Sequence, residues 1–159
     1  VIERILRIAV ALLALAGAAI ASYLTYTHFQ GWPPVCMTGR GCEIVQRSQW
    51  SKLLGIPVAL LGAITYLVIV ASTIVRHPLS KLAGATISLG ALGFNIYLFY
   101  IQAERIHAYC SWCVTNEIVS LVLAPIAIAW VLVSSGFPPA KVRDSPERSS
   151  TEPEKSATA

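Results

Sequence analysis

Long unbroken apolar runs alternate with short polar gaps along the chain. Four runs stand out: about Ile5–Tyr26, Ile56–Val75, Leu82–Ile101 and Tyr109–Val133. Each has the roughly 20 residues with which an α-helix crosses the ~30 Å hydrocarbon core of a bilayer. Each is apolar all round, so none shows the polar face of a surface helix in a soluble domain. Backbone groups in lipid must be satisfied within their own segment, and the runs therefore predict helices. Strands of a membrane barrel would instead alternate apolar with polar residues. Small residues on the spans (Gly17, Gly62, Gly84, Gly90 and Gly93) predict close approach between helices. The expected fold class is all-α, an integral membrane four-helix bundle.

The gaps add detail. Between Glu43 and Leu54, Ile44, Val45, Trp50, Leu53 and Leu54 are set among polar residues, and Gly55 and Pro57 end the segment. It predicts a short extracytoplasmic interfacial helix lying over the mouth of the bundle. Arg4 and Arg7 ahead of the "AIAS" that ends near Ser22 resemble a signal peptide. The apolar run continues past that point through Tyr23 and Leu24 to an aromatic boundary at Tyr26 and Phe29, so a retained span is expected. The last stretch is rich in Pro, Ser, Glu and Lys and has almost no large apolar residue. Nothing there offsets chain entropy. The expected organisation is a transmembrane domain over 1–134 and a disordered cytoplasmic tail over 135–159.

Composition agrees: 55% of the 159 residues are hydrophobic and 13% charged, about half the ~25% charge of a typical soluble domain. The net charge of +4 is not gathered into a basic stripe, so it points to membrane orientation and not to nucleic acid. Arg4, Arg7, Arg76, Lys81, Lys141 and Arg143 fall on one side of the spans. Arg40, Arg47, Lys52 and Arg105 fall on the other, diluted over a longer loop. The bias puts both termini in the cytoplasm. Cys36, Cys42, Cys110 and Cys113 then all lie on the opposite, oxidising side, where disulfides persist.

Cys110-Ser-Trp-Cys113 is a C-x-x-C at an expected helix N-terminus. Positions i and i+3 share a helix face, and the dipole and free amides there favour a thiolate, chiefly at Cys110. A structural bridge is the plainer use of such a motif. The pair Cys36 and Cys42 flanks "MTGRG", whose Gly39 and Gly41 permit tight or left-handed turns. A bridge between them closes only a small exposed loop and adds little stability, so an exchangeable disulfide makes better sense than a staple. An all-cysteine zinc site is the remaining arrangement, disfavoured in an oxidising compartment. Two dithiols on one membrane face suggest a thiol–disulfide relay, and a bilayer offers a lipid-soluble quinone as the electron acceptor.

Cys36-x5-Cys42-Glu43, then Ser48-Gln49-Trp50-Ser51, then "LLGIPVALLGAITY" (Leu53–Tyr66), then Cys110-x-x-Cys113 closely resembles bacterial homologues of vitamin K epoxide reductase. The likeness extends over about Ile5–Val133. It implies a four-helix membrane bundle holding a quinone (ubiquinone or menaquinone) beside the C-x-x-C, in a bacterial inner membrane. It further implies oxidation of an extracytoplasmic DsbA-like or thioredoxin-like protein, the task DsbB performs on a different sequence. Cys36 and Cys42 match the shuttle pair, Cys110 the cysteine they attack, and Cys113 the one facing the quinone. Ser48 matches a serine near the active site, and Trp50 belongs to the same motif. Many bacterial members carry a thioredoxin domain after a further span. A polar tail follows span four here, so a separate partner is expected. Vertebrate enzymes have a tyrosine four residues after the second C-x-x-C cysteine, where this chain has Glu117, so quinone reduction is favoured over epoxide reduction.

Glu117 shares a helix face with Cys110 and Cys113. An ionisable group within a span marks a functional position, and quinone reduction consumes protons that a carboxylate can relay. Trp50 and Trp112 are candidates to wall the quinone headgroup, whereas Trp32 suits an aromatic belt. Asn95 and Gln102 are expected to bond between helices. The contrasting possibility is a tetraspan scaffold whose disulfides never turn over.

Overall fold

Continuous apolar sequence becomes continuous helix. The computed structural model describes residues 1–37, 39–75 and 77–135. Its helices are α1 (Ile2–Gln30), α2 (Gly41–Arg47), α3 (Val58–Ile74), α4 (Pro78–Ile101) and α5 (Ser111–Ser134). Helices α1 and α5, and α4 with the turn that extends it to Ile106, are long and apolar enough to cross a membrane. Helix α3 is apolar but has 17 residues, about 25 Å at the helical rise. The chain is a multi-pass membrane protein built as a helical bundle, as the runs predict.

Capping groups set the helix ends that apolarity leaves open. Helix α1 runs beyond Tyr26 until Gly31 adopts φ 69°. The N–H groups of Gly31 and Trp32 there close on the carbonyls of His28 and Thr27, a Schellman cap. Helix α4 starts before Leu82 because Pro78 fits the first turn and His77 Nδ1 accepts from the Leu79 N–H at 3.3 Å. Beyond Ile101 the same helix widens into a π-helical turn, Gln102–Ile106, which ends at His107 in the left-handed region.

The interfacial segment is more broken than the single helix expected over Glu43–Leu54. Helix α2 stops at Arg47, where Ser48 turns extended and its hydroxyl donates to the Val45 carbonyl at 2.8 Å. A 3₁₀ turn (Gln49–Ser51) leads into a small hairpin of β1 (Lys52–Leu53) and β2 (Ile56–Pro57), in register Leu53 to Ile56. Leu54 and Gly55, both at positive φ, make its tight turn. From residue 136 onward, the tail expected over 135–159 lies outside the described residues.

The core joins Val10, Ala14, Ala18 and Ala21 of α1 to Ala63, Tyr66 and Ile69 of α3 and to Leu123, Ala127 and Trp130 of α5. A Cβ on Gly17 would meet the Tyr66 ring at 2.5 Å, and one on Gly84 would collide with the Ser72 hydroxyl. Those two glycines permit the close approach expected. Gly90 and Gly93 do not, for nothing lies within 4 Å of where their Cβ atoms would be. Leu12, Leu15, Ile64, Leu67, Ile96, Leu121 and Leu132 remain exposed around the bundle, as lipid-facing positions must.

Candidate redox site

The loop after α1 is pinned onto the start of α5. The Val35 N–H donates to the Tyr23 hydroxyl at 3.1 Å, and the Val35 carbonyl accepts from the Trp112 indole at 2.6 Å. Just beyond, Cys36 and Cys42 are joined by a disulfide. Gly39 takes the left-handed turn, φ 61°. Gly41 serves closeness instead, since a Cβ there would strike the carbonyl oxygen of Tyr109. Helix α2 therefore begins against the backbone that leads into Cys110. Cys42 and Cys110 are both fully buried, and Cys36 is half-buried.

Cys110 and Cys113 are free thiols. Cys110 caps α5 from just outside the span, its Sγ accepting from the Cys113 N–H at 3.4 Å. The hydrogen bond from the Cys113 side chain, aided by the backbone N–H groups of Cys113 and Trp112, brings the Cys110 thiol down to about 7 against the opposing effect of burial. Between the two cysteine pairs stands Ser111, which the sequence reading did not single out. Its Oγ is 3.6 Å from Cys42 Sγ and 3.8 Å from Cys36 Sγ, and it accepts from the Met37 N–H at 3.5 Å. The loop disulfide thus lies across one hydroxyl from the C-x-x-C.

On the membrane side of the thiols is a cavity lined by α1, α3, α4 and α5 and roofed by α2 and the 3₁₀ turn. Cys113 and Glu117 line one wall, Ser48 and Trp50 come from the roof, and Leu24, Phe94 and Leu98 supply apolar surface. The structure brings these predicted residues together. It takes Trp112 elsewhere: two positions from Cys110, its ring turns away and packs on Tyr23 at 5.1 Å between centroids.

Polar groups line part of the cavity. Asn95 Nδ2 donates to Ser120 Oγ at 2.6 Å, and the Tyr66 hydroxyl lies 2.7 Å from the same oxygen. Gln102, 3% exposed, accepts from the Cys110 N–H at 3.0 Å and donates to Glu117 Oε1 at 2.8 Å. Asn95 and Gln102 are the interhelical hydrogen-bonders expected, and Gln102 also joins the thiol site to the carboxyl. Its amide reaches both because it opens the π-helical turn, a distortion common at functional positions. Two buried oxygens at the cavity, Asn116 Oδ1 and Glu117 Oε2, have no partner among the described residues.

A loop disulfide stands beside a dithiol at a helix start, with a largely apolar cavity below and a carboxyl in its wall. This order of parts has a match among known families over residues 8–128, and the chain belongs to the Vitamin K epoxide reductase family, whose members are in general quinone-linked disulfide oxidoreductases.

Proposed function

We infer that the chain reoxidises a separate extracytoplasmic DsbA-like or thioredoxin-like protein and delivers the electrons to a membrane quinone, ubiquinone or menaquinone. The observation that carries this reading is the position of Ser111, in contact with both sulfurs of the loop disulfide and itself part of the C-x-x-C.

A partner thiolate attacks the Cys36–Cys42 disulfide, forming one mixed disulfide and releasing one loop thiolate. The second partner thiol closes the partner's own disulfide and leaves the loop as a dithiol. A loop thiolate then attacks Cys110 of an oxidised C-x-x-C, releasing Cys113. The other loop thiol resolves that intermediate, so the loop is again a disulfide and Cys110 and Cys113 hold the electron pair and two protons. An oxidised loop beside a reduced C-x-x-C corresponds to this stage. The Cys110 thiol at about 7 supports its role as the better leaving group of the pair when the loop thiol resolves the intermediate.

The cavity fits a quinone ring. Its walls are mainly apolar with Trp50 at the roof, and the unpartnered oxygens of Asn116 and Glu117 are suited to carbonyl or hydroxyl groups of a ligand. When bound there, a quinone accepts two electrons and two protons. Trp50, Ser48, Asn116 and Glu117 would hold it beside Cys113. Glu117, fixed by Gln102 at one oxygen, holds or moves a proton at the other. Trp112 keeps the loop against α5. The basic cluster at the opposite end of the bundle, with Arg4, Arg7 and Lys81, supports cytoplasmic termini and an extracytoplasmic cysteine face, in a bacterial inner membrane.

The test is turnover. Purified chain in nanodiscs, given a reduced thioredoxin-like protein and a short-chain ubiquinone or menaquinone, should form quinol and lose that activity on Cys113→Ala. No quinol from the native chain with either quinone would leave a scaffold with structural disulfides.

A further inference from the structure

At the end of the bundle opposite the cysteines, the start of α1, the end of α3, the first turn of α4 and the last turns of α5 surround a second cavity of about 660 Å³. Arg4, Arg7, Lys81, Glu3 and Trp130 line it. Lys81 Nζ is 2.7 Å from Glu3 Oε1 and 5.6 Å from the centre of the Trp130 ring. That ammonium is largely buried in the first turn of α4, where the helix dipole disfavours a cation. Glu3 offsets one of the three positive charges. Neither Arg4 nor Arg7 forms an ion pair among the described residues.

Trp130 supplies an independent observation. It is 2% exposed, and its buried indole Nε1–H has no acceptor among the described residues. Burying an N–H with nothing to receive it is unfavourable. Thr73 and Val75 complete the lining, and the Thr73 hydroxyl is already committed to the Val70 carbonyl at 2.7 Å. Beyond the Lys81–Glu3 pair, the two guanidiniums and the indole N–H are donors without a partner among the described residues. The complement is an anion carrying several acceptor oxygens, and guanidinium matches phosphate in two-pronged geometry. The cavity lies at the end of α1 where Arg4 and Arg7 first interrupt its exposed apolar residues, Ile2, Ile5, Ile8 and Leu12. In a membrane protein that is headgroup depth, where phosphate is abundant.

We propose that this cavity binds the phosphate group of an anionic phospholipid, with Arg4 and Arg7 taking its oxygens and Lys81 and the Trp130 indole completing the donor set. The bound headgroup ties the start of α1 to α4 and α5.

The full-length chain in nanodiscs of phosphatidylcholine, with and without phosphatidylglycerol, tests this through the unfolding midpoint. Lipid retained after detergent extraction, read by native mass spectrometry, is the second measurement. Phosphatidylglycerol should be retained over phosphatidylcholine and should raise the midpoint. Arg4→Gln with Arg7→Gln should lower retention roughly tenfold or more. Trp130→Phe keeps an aromatic ring but removes the donor, and should lower it several-fold. Arg47→Gln, at the other end, should change nothing. Equal retention by the native chain and the double variant would overturn the proposal. So would an equal rise in midpoint from inorganic phosphate in phosphatidylcholine discs, which would assign the cavity to the free ion.

Discussion

Gln102 donates to Glu117 Oε1 at 2.8 Å, tying the π-helical turn after α4 to the second turn of α5. The same amide accepts from the Cys110 N–H at 3.0 Å. Gln102→Ala would leave both groups buried and unmet, at about 1–3 kcal/mol for each. The unfolding midpoint in detergent should fall accordingly. Gln102→Glu keeps the acceptor for Cys110 but sets two carboxyl groups face to face. It should be less destabilising than alanine at acid pH and lose that advantage as pH rises.

Glu117→Gln separates proton handling from packing, because its amide oxygen can still accept from Gln102. If Glu117 relays protons, quinol formation should fall by roughly a hundredfold, the lower end of general acid–base contributions. Exchange between the loop disulfide and the C-x-x-C, followed by trapping thiols without quinone, should be unchanged. Undiminished quinol formation would remove Glu117 from the mechanism.

Gly41 and Gly39 make a paired test of the loop. A Cβ at Gly41 would meet the Tyr109 carbonyl, so α2 must move away from Cys110 in Gly41→Ala. Thiol exchange between the two cysteine pairs should slow markedly. Gly39→Ala meets nothing within 4 Å but occupies φ 61°, which costs an alanine about 1–2 kcal/mol. It should weaken the loop and leave the exchange rate nearly intact.

The spans were readable because lipid allows a crossing helix little but apolar residues, and that requirement covers whole segments. Their ends were less readable, since Gly31, His77 and Pro78 decide them through hydrogen bonds that apolarity does not record. The hairpin was hidden because Leu54, 97% exposed, adopts a positive φ that its side chain does not advertise. At the site, motif and helical spacing together brought in Cys113, Glu117, Ser48 and Trp50. Trp112 carried the same aromatic signal but points to the loop, as a position two residues from Cys110 must on a helix. Ser111 gave no signal, for a serine inside C-x-x-C becomes informative only once the loop disulfide is seen beside it.

Packing gives a further contrast. Gly17→Ala would drive a methyl into the Tyr66 ring and disturb the hydroxyl contact with Ser120. Overpacking of this kind costs about 1–3 kcal/mol. Gly90→Ala enters open space on α4 and should be neutral or gain up to about 1 kcal/mol from helix propensity. Thermal unfolding of the two variants in the same detergent should move the midpoint down for Gly17 and not for Gly90.

The thiol of Cys110 offers a pH test. With its midpoint at about 7, the protein with its loop disulfide intact and its C-x-x-C reduced should show one thiol ionising near neutrality, followed by ultraviolet thiolate absorbance. Below that midpoint the thiol is protonated, and the thiolate absorbance should fall about tenfold per pH unit. The hydrogen bond from Cys113 is the largest cause of the shift. Cys113→Ala should therefore move the midpoint upward toward that of an ordinary thiol, while Cys113→Ser, which retains a donor, should hold it lower than alanine does. Identical midpoints in the two variants would show that the backbone N–H groups alone stabilise the thiolate.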